Sequence, residues 1–334
     1  MFNKKTILIT GGTGSFGSEF VKHVANKYRP KKIIIFSRDE VKQRLMRENL
    51  DKKYEKMFRF FLGDVRDKDR LNLAFKNVDY VVHAAALKQI DTAEYNPFEV
   101  IKTNIIGAQN IIDASLANNI KKVLALSTDK AASPVNLYGA TKLVSDKLFS
   151  SANNYVGLNK TIFSIVRYGN VSSSRGSVIP YFRKLLSLNK NIPLTHYEMT
   201  RFWITLKQSV DFVENCFQNM VGGEIFVPKL PSIKIVDLIT ALKKNAKIET
   251  IGLRPGEKIY ETMCPKDEAH NTLEYKKYFI IKPSIKFYTS NKNYSLNSRK
   301  EKGKPVDKNF EYNSKNNKHF LSVNEIKKYL DSNK

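Results

Sequence analysis

The stretch from Ser127 to Lys142 brings an acid, an amine and a phenol together: Thr128-Asp129-Lys130, then Tyr138-x-x-x-Lys142. Side chains four apart on a helix share a face, about 6 Å apart along the axis, so a helix here sets the Lys142 ammonium beside the Tyr138 phenol. A neighbouring cation favours phenolate, and a phenolate can take a hydroxyl proton while hydride leaves the same carbon. Tyr-x-x-x-Lys alone is a common surface pair. Its position gives it weight here, eleven residues past an apolar run, Val123 to Ser127, that reads as a strand with its binding edge at the C-terminal end. Asp129 and Lys130 add a second acid and base that simple hydride transfer does not need. Adjacent residues at a helix start diverge by roughly 100°, so the two can approach different atoms of one substrate. A basic Lys130 must be neutral, and burial beside Lys142 or other cations is the expected cause.

A hydride acceptor is implied by Thr10-Gly11-Gly12-Thr13-Gly14-Ser15-Phe16-Gly17, which follows Lys-Thr-Ile-Leu-Ile and opens a helical pattern. Gly11 suits the tight turn, Gly14 the approach of backbone to pyrophosphate and Gly17 the packing of helix on strand. Thr10, Thr13, Ser15 and Phe16 complete the loop, and the helix start offers amide donors to the phosphates. Twenty residues past Gly17, Ser37-Arg38-Asp39 closes a second strand. An acid at this tip takes a ribose 2′-hydroxyl, whereas a small residue followed by arginine suits a 2′-phosphate, so NADP is expected over NAD. An inward-pointing Asp39 would reverse that choice. Asp64 and Val65 fall where adenine is read, and Ala84 leaves room where the cofactor crosses the sheet. His83 reads as a packed histidine.

These residues must be carried by alternating strands and helices. Strands are expected at 6–10, 32–36, 59–62, 80–83, 123–127 and 162–167, with helices near 15–26, 40–50, 68–75, 97–118 and 138–153. This is an α/β fold, a doubly wound (Rossmann) parallel sheet. Residues 1–170 are assigned to the dinucleotide-binding domain and 171–334 to a smaller, mixed α/β substrate-binding region partly interleaved with it. Helical patterns recur near 179–188 and 207–218. Residues 287–318 are polar and lysine-rich, expected to order partly on assembly, and 322–329 reads as a short capped helix.

At 334 residues and 42% apolar composition the chain can bury a sizeable core. No apolar stretch approaches the roughly 20 residues of a membrane span, and no secretory segment opens the chain, so the expected compartment is the cytoplasm. Cys216 and Cys264 are isolated and form neither a disulfide framework nor a zinc site; no metal is expected. The net charge of +25 invites a nucleic-acid reading, but lysine is spread along the whole chain without aromatic interleaving, so no nucleic-acid partner is expected. A pocket for several phosphates accounts for some of this charge.

The glycine loop with Thr128, Tyr138 and Lys142 resembles the extended branch of the short-chain dehydrogenase/reductase family, many of whose members act on nucleotide-linked sugars. Retaining sugar-nucleotide 4,6-dehydratases carry Ser-Thr-Asp-Glu; this chain has Lys130 in place of the Glu, and Tyr138 follows Thr128 at only ten positions. With Thr200-Arg201-Phe202-Trp203 and Arg254-Pro255-Gly256-Glu257-Lys258, the chain resembles the inverting UDP-N-acetylglucosamine 4,6-dehydratase (5-epimerase) group along essentially its whole length. The resemblance implies transient oxidation at C4 by NADP, removal of the C5 proton by Lys130, loss of the C6 hydroxyl assisted by Asp129, and inversion at C5. It further implies Val171 beside the cofactor, Lys88 and Asn170 near the sugar, Arg201 and Arg254 at the diphosphate and Glu257 at the uridine ribose. Trp203 reads as packing. A homo-oligomer, as large as a hexamer, a place at the first step of a pseudaminic acid type pathway and a downstream aminotransferase are likewise implied. A dehydratase feeding L-fucosamine-type sugars, a retaining dehydratase, a 4-epimerase and a non-catalytic NADP sensor stand as alternatives.

Overall fold

The computed structural model describes residues 1–154, 156–157, 160–172, 177–285 and 292–331. Six apolar runs form parallel strands: β1 (Thr6–Thr10), β2 (Lys32–Ser37), β3 (Phe58–Leu62), β4 (Tyr80–His83), β5 (Lys122–Leu126) and β6 (Ile162–Val166). They lie in the order β3-β2-β1-β4-β5-β6, which leaves a crevice at the C-terminal ends of β1 and β4 where the winding reverses. The sheet continues past β6 through Ile225–Pro228, parallel to it, and then Tyr278–Ile281, Thr272–Glu274 and Lys304–Pro305, each antiparallel to its neighbour. Late parts of the chain therefore extend the sheet that the N-terminal half begins. β1 is buried along its whole length, as expected of a strand covered on both faces.

Helices α1 (Ser15–Lys27), α2 (Glu40–Glu48), α3 (Lys68–Ala74), α4 (Ile90–Tyr95), α5 (Pro97–Ile101), α6 (Gly107–Ala117) and α7 (Leu137–Ser151) connect and cover the strands. α1 buries Gly17, Phe20, Val21, Val24 and Ala25, a single stripe at helical spacing. The single helix expected over 97–118 is interrupted by a π-helical turn, Lys102–Ile106. That turn directs Asn104 inward, where its side chain accepts from the Leu87 amide at 2.9 Å, donates to the Leu87 carbonyl at 2.9 Å and reaches Thr141 Oγ1 at 3.0 Å. The periodicity conceals the inserted residue; the polar anchor it creates holds the loop that carries Lys88.

A second apolar cluster, with Ile179, Phe182, Met199, Trp203, Leu238 and Ile326, lies beyond the cleft. The C-terminal helix Val323–Asp331 belongs to it, and Ser322 and Glu325 cap its start reciprocally, as the sequence predicts. The tract at 287–318 departs from expectation. Residues 286–291 lie outside the described residues, but 292–318 packs within the chain itself. Tyr294 and Tyr312 are buried, Lys304–Pro305 pairs with Thr272–Glu274, and Tyr312–Asn313 pairs with Thr262–Cys264. A few aromatic anchors among many lysines hold it against the rest of the chain.

Candidate active site

One cleft of about 1120 Å³ runs along the C-terminal ends of the parallel strands and is lined by the glycine loop, Ser37, Arg38, Asp64, Val65, Ala84, Lys88, Thr128 to Lys130, Tyr138, Lys142, Asn170, Val171, Arg201, Arg254 and Glu257. Thr10 alone among the expected site residues does not line it. Its hydroxyl is fully buried, bonded to His83 Nδ1 at 2.8 Å and accepting from the Ala84 and Ala85 amides, so Thr10 shapes the crevice from beneath. His83 packs on Phe149, and burial, then the charge of Lys142, pushes it down to about 3, leaving a neutral core histidine.

The cofactor end has the form a dinucleotide requires. Gly11 sits at φ +64°, and a Cβ there would meet the backbone of Ala84 and Ala85 at 2.9–3.0 Å. A Cβ on Gly17 would meet Gly12 at 2.6 Å, so only glycine lets α1 pack this closely on the loop. The N-cap of α1 is Gly14, which has no side chain to spend on the first-turn amides, so these remain for phosphate. At the tip of β2, Asp39 caps α2, accepting from the Lys42 amide at 2.9 Å and pairing with Lys42 Nζ at 2.6 Å. Ser37 Oγ receives Gln43 Nε2 at 3.0 Å. Arg38 stays exposed, 3.8 Å from Asp64, which is held mainly by Arg66.

The residues expected to react occupy the turn after β5 and the first turns of α7. Asn136 caps α7 and also donates to the Gly256 carbonyl at 2.8 Å, tying the helix start to the 254–258 loop. A Cβ on Gly139 would fall 2.2 Å from the Lys130 carbonyl, so a glycine is what allows the helix to press on the Asp129-Lys130 turn. Thr128 lies within hydrogen-bond reach of the Tyr138 phenol and donates to Asp129 Oδ1 at 2.9 Å; Lys130 Nζ reaches the same oxygen at 3.2 Å. Lys142 Nζ donates to the Leu126 carbonyl at 2.7 Å. Behind them Asp146, on α7, takes Ser127 Oγ at 2.8 Å and pairs with the buried Arg167, which also donates to the Met263 carbonyl.

Two electrostatic expectations are corrected. Burial alone would drive the Lys130 ammonium toward neutrality, but Asp129 at 3.2 Å and Glu261 at 3.0 Å outweigh it, so the resting Lys130 is held charged, above the ordinary lysine range. Arg201 opposes the two carboxylates, and Lys88 and Lys258 also face Lys130, but these cations do not prevail. Tyr138 is pushed up to about 12 by burial, against the pull of Lys130 and Thr128, so its resting form is a phenol and not the phenolate expected beside Lys142. Burial drives Asp129 upward, which suits a carboxylic acid that gives a proton. The Lys142 ammonium is pushed down by burial, with Asp146 opposing.

Residues 7–283 match the polysaccharide biosynthesis protein family. The chain belongs to that family. It is 54% identical over 327 residues to the UDP-N-acetylglucosamine 4,6-dehydratase (inverting) of Campylobacter jejuni subsp. jejuni serotype O:2, covering 98% of this chain and 97% of that one. It is 45% identical over 290 residues, 84% of each chain, to a UDP-glucose 4-epimerase of Rickettsia bellii. Among solved structures it superposes on Pen from Bacillus thuringiensis with a TM-score of 0.89 and 37% identity, over 100% of this chain and 99% of that one.

In this member of the polysaccharide biosynthesis family the cleft holds unfinished hydrogen bonding. Buried polar atoms ordinarily find partners; Asp129 Oδ2, Asn170 Oδ1, Trp203 Nε1 and Glu261 Oε2 have none among the described residues, and all four residues line the cleft. Trp203 packs as expected, buried in the second apolar cluster. Arg201, expected at a diphosphate, already donates to the carbonyls of Thr200, Lys258 and Ile259, and so holds the 258–261 segment in place. Arg254 is exposed and grips Glu257 with two donors, at 2.9 and 3.3 Å. Lys88 is exposed on the cleft wall. Sequence reasoning missed Glu261 and Lys258. The signal was the continuation of Arg254-Pro-Gly-Glu-Lys258 into Ile-Tyr-Glu261.

Proposed function

We propose that this chain is an inverting 4,6-dehydratase acting on UDP-N-acetylglucosamine. The observation that carries the reading is the Asp129-Lys130 pair, bonded to each other and linked through Thr128 to Tyr138, at the cleft end of β5. Similarity to the Campylobacter dehydratase along 98% of the chain supports it. A nicotinamide dinucleotide held on the glycine loop supplies acceptance of hydride from C4 and its return to C6. Tyr138, having first given up its own proton, takes the C4 hydroxyl proton as a phenolate. The C4 ketone acidifies the C5 hydrogen, which Lys130 removes; Asp129 protonates the departing C6 oxygen, and water leaves. Reprotonation of C5 from the opposite face gives UDP-2-acetamido-2,6-dideoxy-β-L-arabino-hex-4-ulose. The net reaction is elimination of water, and a 4-keto product suits a following aminotransferase in a pathway of the pseudaminic acid type.

Arg38 and Lys42 rim the ribose end while Asp39 is occupied in capping, an arrangement that favours NADP. Arg38→Ala is expected to weaken NADP by roughly tenfold or more and leave NAD nearly unchanged, since a charge-assisted phosphate contact is worth about 1.5–3 kcal/mol. Titration with both cofactors reads this directly; an unaltered preference would refute the assignment.

The dehydratase reading is tested by proton NMR of the protein with UDP-N-acetylglucosamine in D2O. Expected are a new C6 methyl signal and a deuterated, inverted C5. Similarity to the Rickettsia epimerase favours C4 epimerisation as second reading. It predicts a C4-epimeric UDP-sugar and no methyl signal, and gives Asp129 and Lys130 no task.

A further inference from the structure

Two of the unbonded atoms in the cleft are matched in position. The strand Thr200–Ile204 runs parallel to Asn170–Val171, with Trp203 opposite Asn170 and Ile204 opposite Val171. Residues paired in this way point to the same face of the pleat. That face belongs to the cleft: Arg201 and Trp203 line it, whereas Phe202 between them packs into the main core.

Trp203 is 3% exposed, yet its Nε1 has no hydrogen-bond partner among the described residues, and neither has the buried Oδ1 of Asn170. An indole N–H only donates, and an amide oxygen only accepts. They stand on strands about 4.8 Å apart and still do not bond to each other. A buried donor and a buried acceptor left open are costly, and native interiors rarely keep them so. A ligand that brings an acceptor to one and a donor to the other removes both costs.

Few groups of a nucleotide sugar do this. Phosphate oxygens only accept, so a diphosphate leaves the Asn170 oxygen unmet. A hydroxyl offers donor and acceptor from a single atom. A secondary amide offers them from opposite edges of a rigid plane, and so bridges partners on two strands. Uracil also carries N–H beside C=O, but at the far end of the molecule from the reacting carbons. The wall in question begins at the reacting end, since a Cβ on Gly169, next to Asn170, would fall 3.3 Å from Asp129 Oδ2. The hydroxyls of Ser172 and Ser177, also unbonded on residues that line the cleft, can turn to either role and make no such distinction.

We infer that Trp203 and Asn170 read the 2-acetamido group of the sugar, Trp203 Nε1 donating to its carbonyl and Asn170 Oδ1 accepting from its N–H, and so set a preference for an N-acylated hexosamine over a hexose. The inference rests on the dehydratase reading for the substrate and deepens it. A 2-hydroxyl is too short to meet both atoms and leaves one of them buried and open, which is how the site rejects it. The pair acts on binding and takes no part in proton or hydride transfer.

The test measures binding of UDP-N-acetylglucosamine and of UDP-glucose to cofactor-loaded protein carrying Tyr138→Phe, which keeps the sugars from turning over, with and without W203F or N170A. The parent should bind the acetamido sugar more tightly by about tenfold or more. W203F removes the N–H and keeps an aromatic ring; it should weaken UDP-N-acetylglucosamine by roughly tenfold and UDP-glucose by less than about twofold. N170A should narrow the preference in the same direction. Equal loss with both nucleotide sugars would assign the pair to the shared uridine diphosphate and overturn the inference, as would a parent that does not discriminate or variants that leave the preference intact. If W203F does not fold, N170A decides on the same terms. Failure of the wild type to form methyl product would instead sink the dehydratase reading, and the binding comparison would still decide whether these two side chains read the acetamido group.

Discussion

Lys130→Met is expected to separate the reaction into halves. Methyl formation and C5 deuteration should fall by roughly 10²–10⁴-fold, the range that a positioned general base contributes. Reduction of the bound cofactor by UDP-N-acetylglucosamine should persist, because the proposed mechanism assigns C4 oxidation to Tyr138 and not to Lys130. Methionine preserves much of the length and volume of the side chain and removes the charge, so the cleft keeps its shape. The protein should tolerate the loss of the ammonium, since burial already drives Asp129 toward its neutral form and Glu261 retains Arg201 and Lys258 nearby. Spectroscopy of the mixed enzyme and substrate gives the first half-reaction, and NMR of the sugar gives the second. Methyl product at the wild-type rate would remove Lys130 from the mechanism.

What the sequence reveals of this site is what lies close together in it. Tyr138 and Lys142 occupy one helix face, Asp129 and Lys130 one turn, and the glycine loop a single strand-to-helix junction, so spacing alone places them. The strand order follows from alternation and the right-handed winding of parallel units. The charge state of Lys130 is a different matter. It is set by burial against Asp129 and Glu261, and Glu261 comes from a distant segment held by Arg201 and Ser314, which no local pattern couples to Lys130. Arg201 shows the same limit. Its neighbour Trp203 reads correctly as packing, but nothing in the sequence says that its guanidinium is spent on main-chain carbonyls. The π-helical turn escaped because one inserted residue barely disturbs an apolar period over 97–118. The lysine-rich tract at 292–318 escaped because composition averages over the few residues, Tyr294 and Tyr312 among them, that anchor it.

Tyr138→Phe is the counterpart of the lysine variant and should abolish both halves together. The substitution removes one oxygen and leaves the ring in place. It takes away the group that the proposed mechanism has accept the C4 hydroxyl proton, and with no C4 ketone the C5 hydrogen is not acidified. Neither cofactor reduction nor methyl formation should then exceed about one part in a thousand of the wild-type rate, at the strong end of what a single acid–base group contributes. Binding should survive, because the phosphate contacts lie elsewhere in the cleft, so a KM or dissociation constant within about threefold is expected. Stability should change little or rise, since the phenol is buried where its ionisation is opposed and its nearest hydrogen-bond neighbour, Thr128, keeps Asp129 as a partner. Thermal unfolding, cofactor titration and single-turnover absorbance together decide the matter. If Tyr138→Phe still reduced the cofactor while losing only the methyl product, the phenol would belong to the C5–C6 chemistry, and the division of labour between α7 and the turn after β5 would have to be reversed.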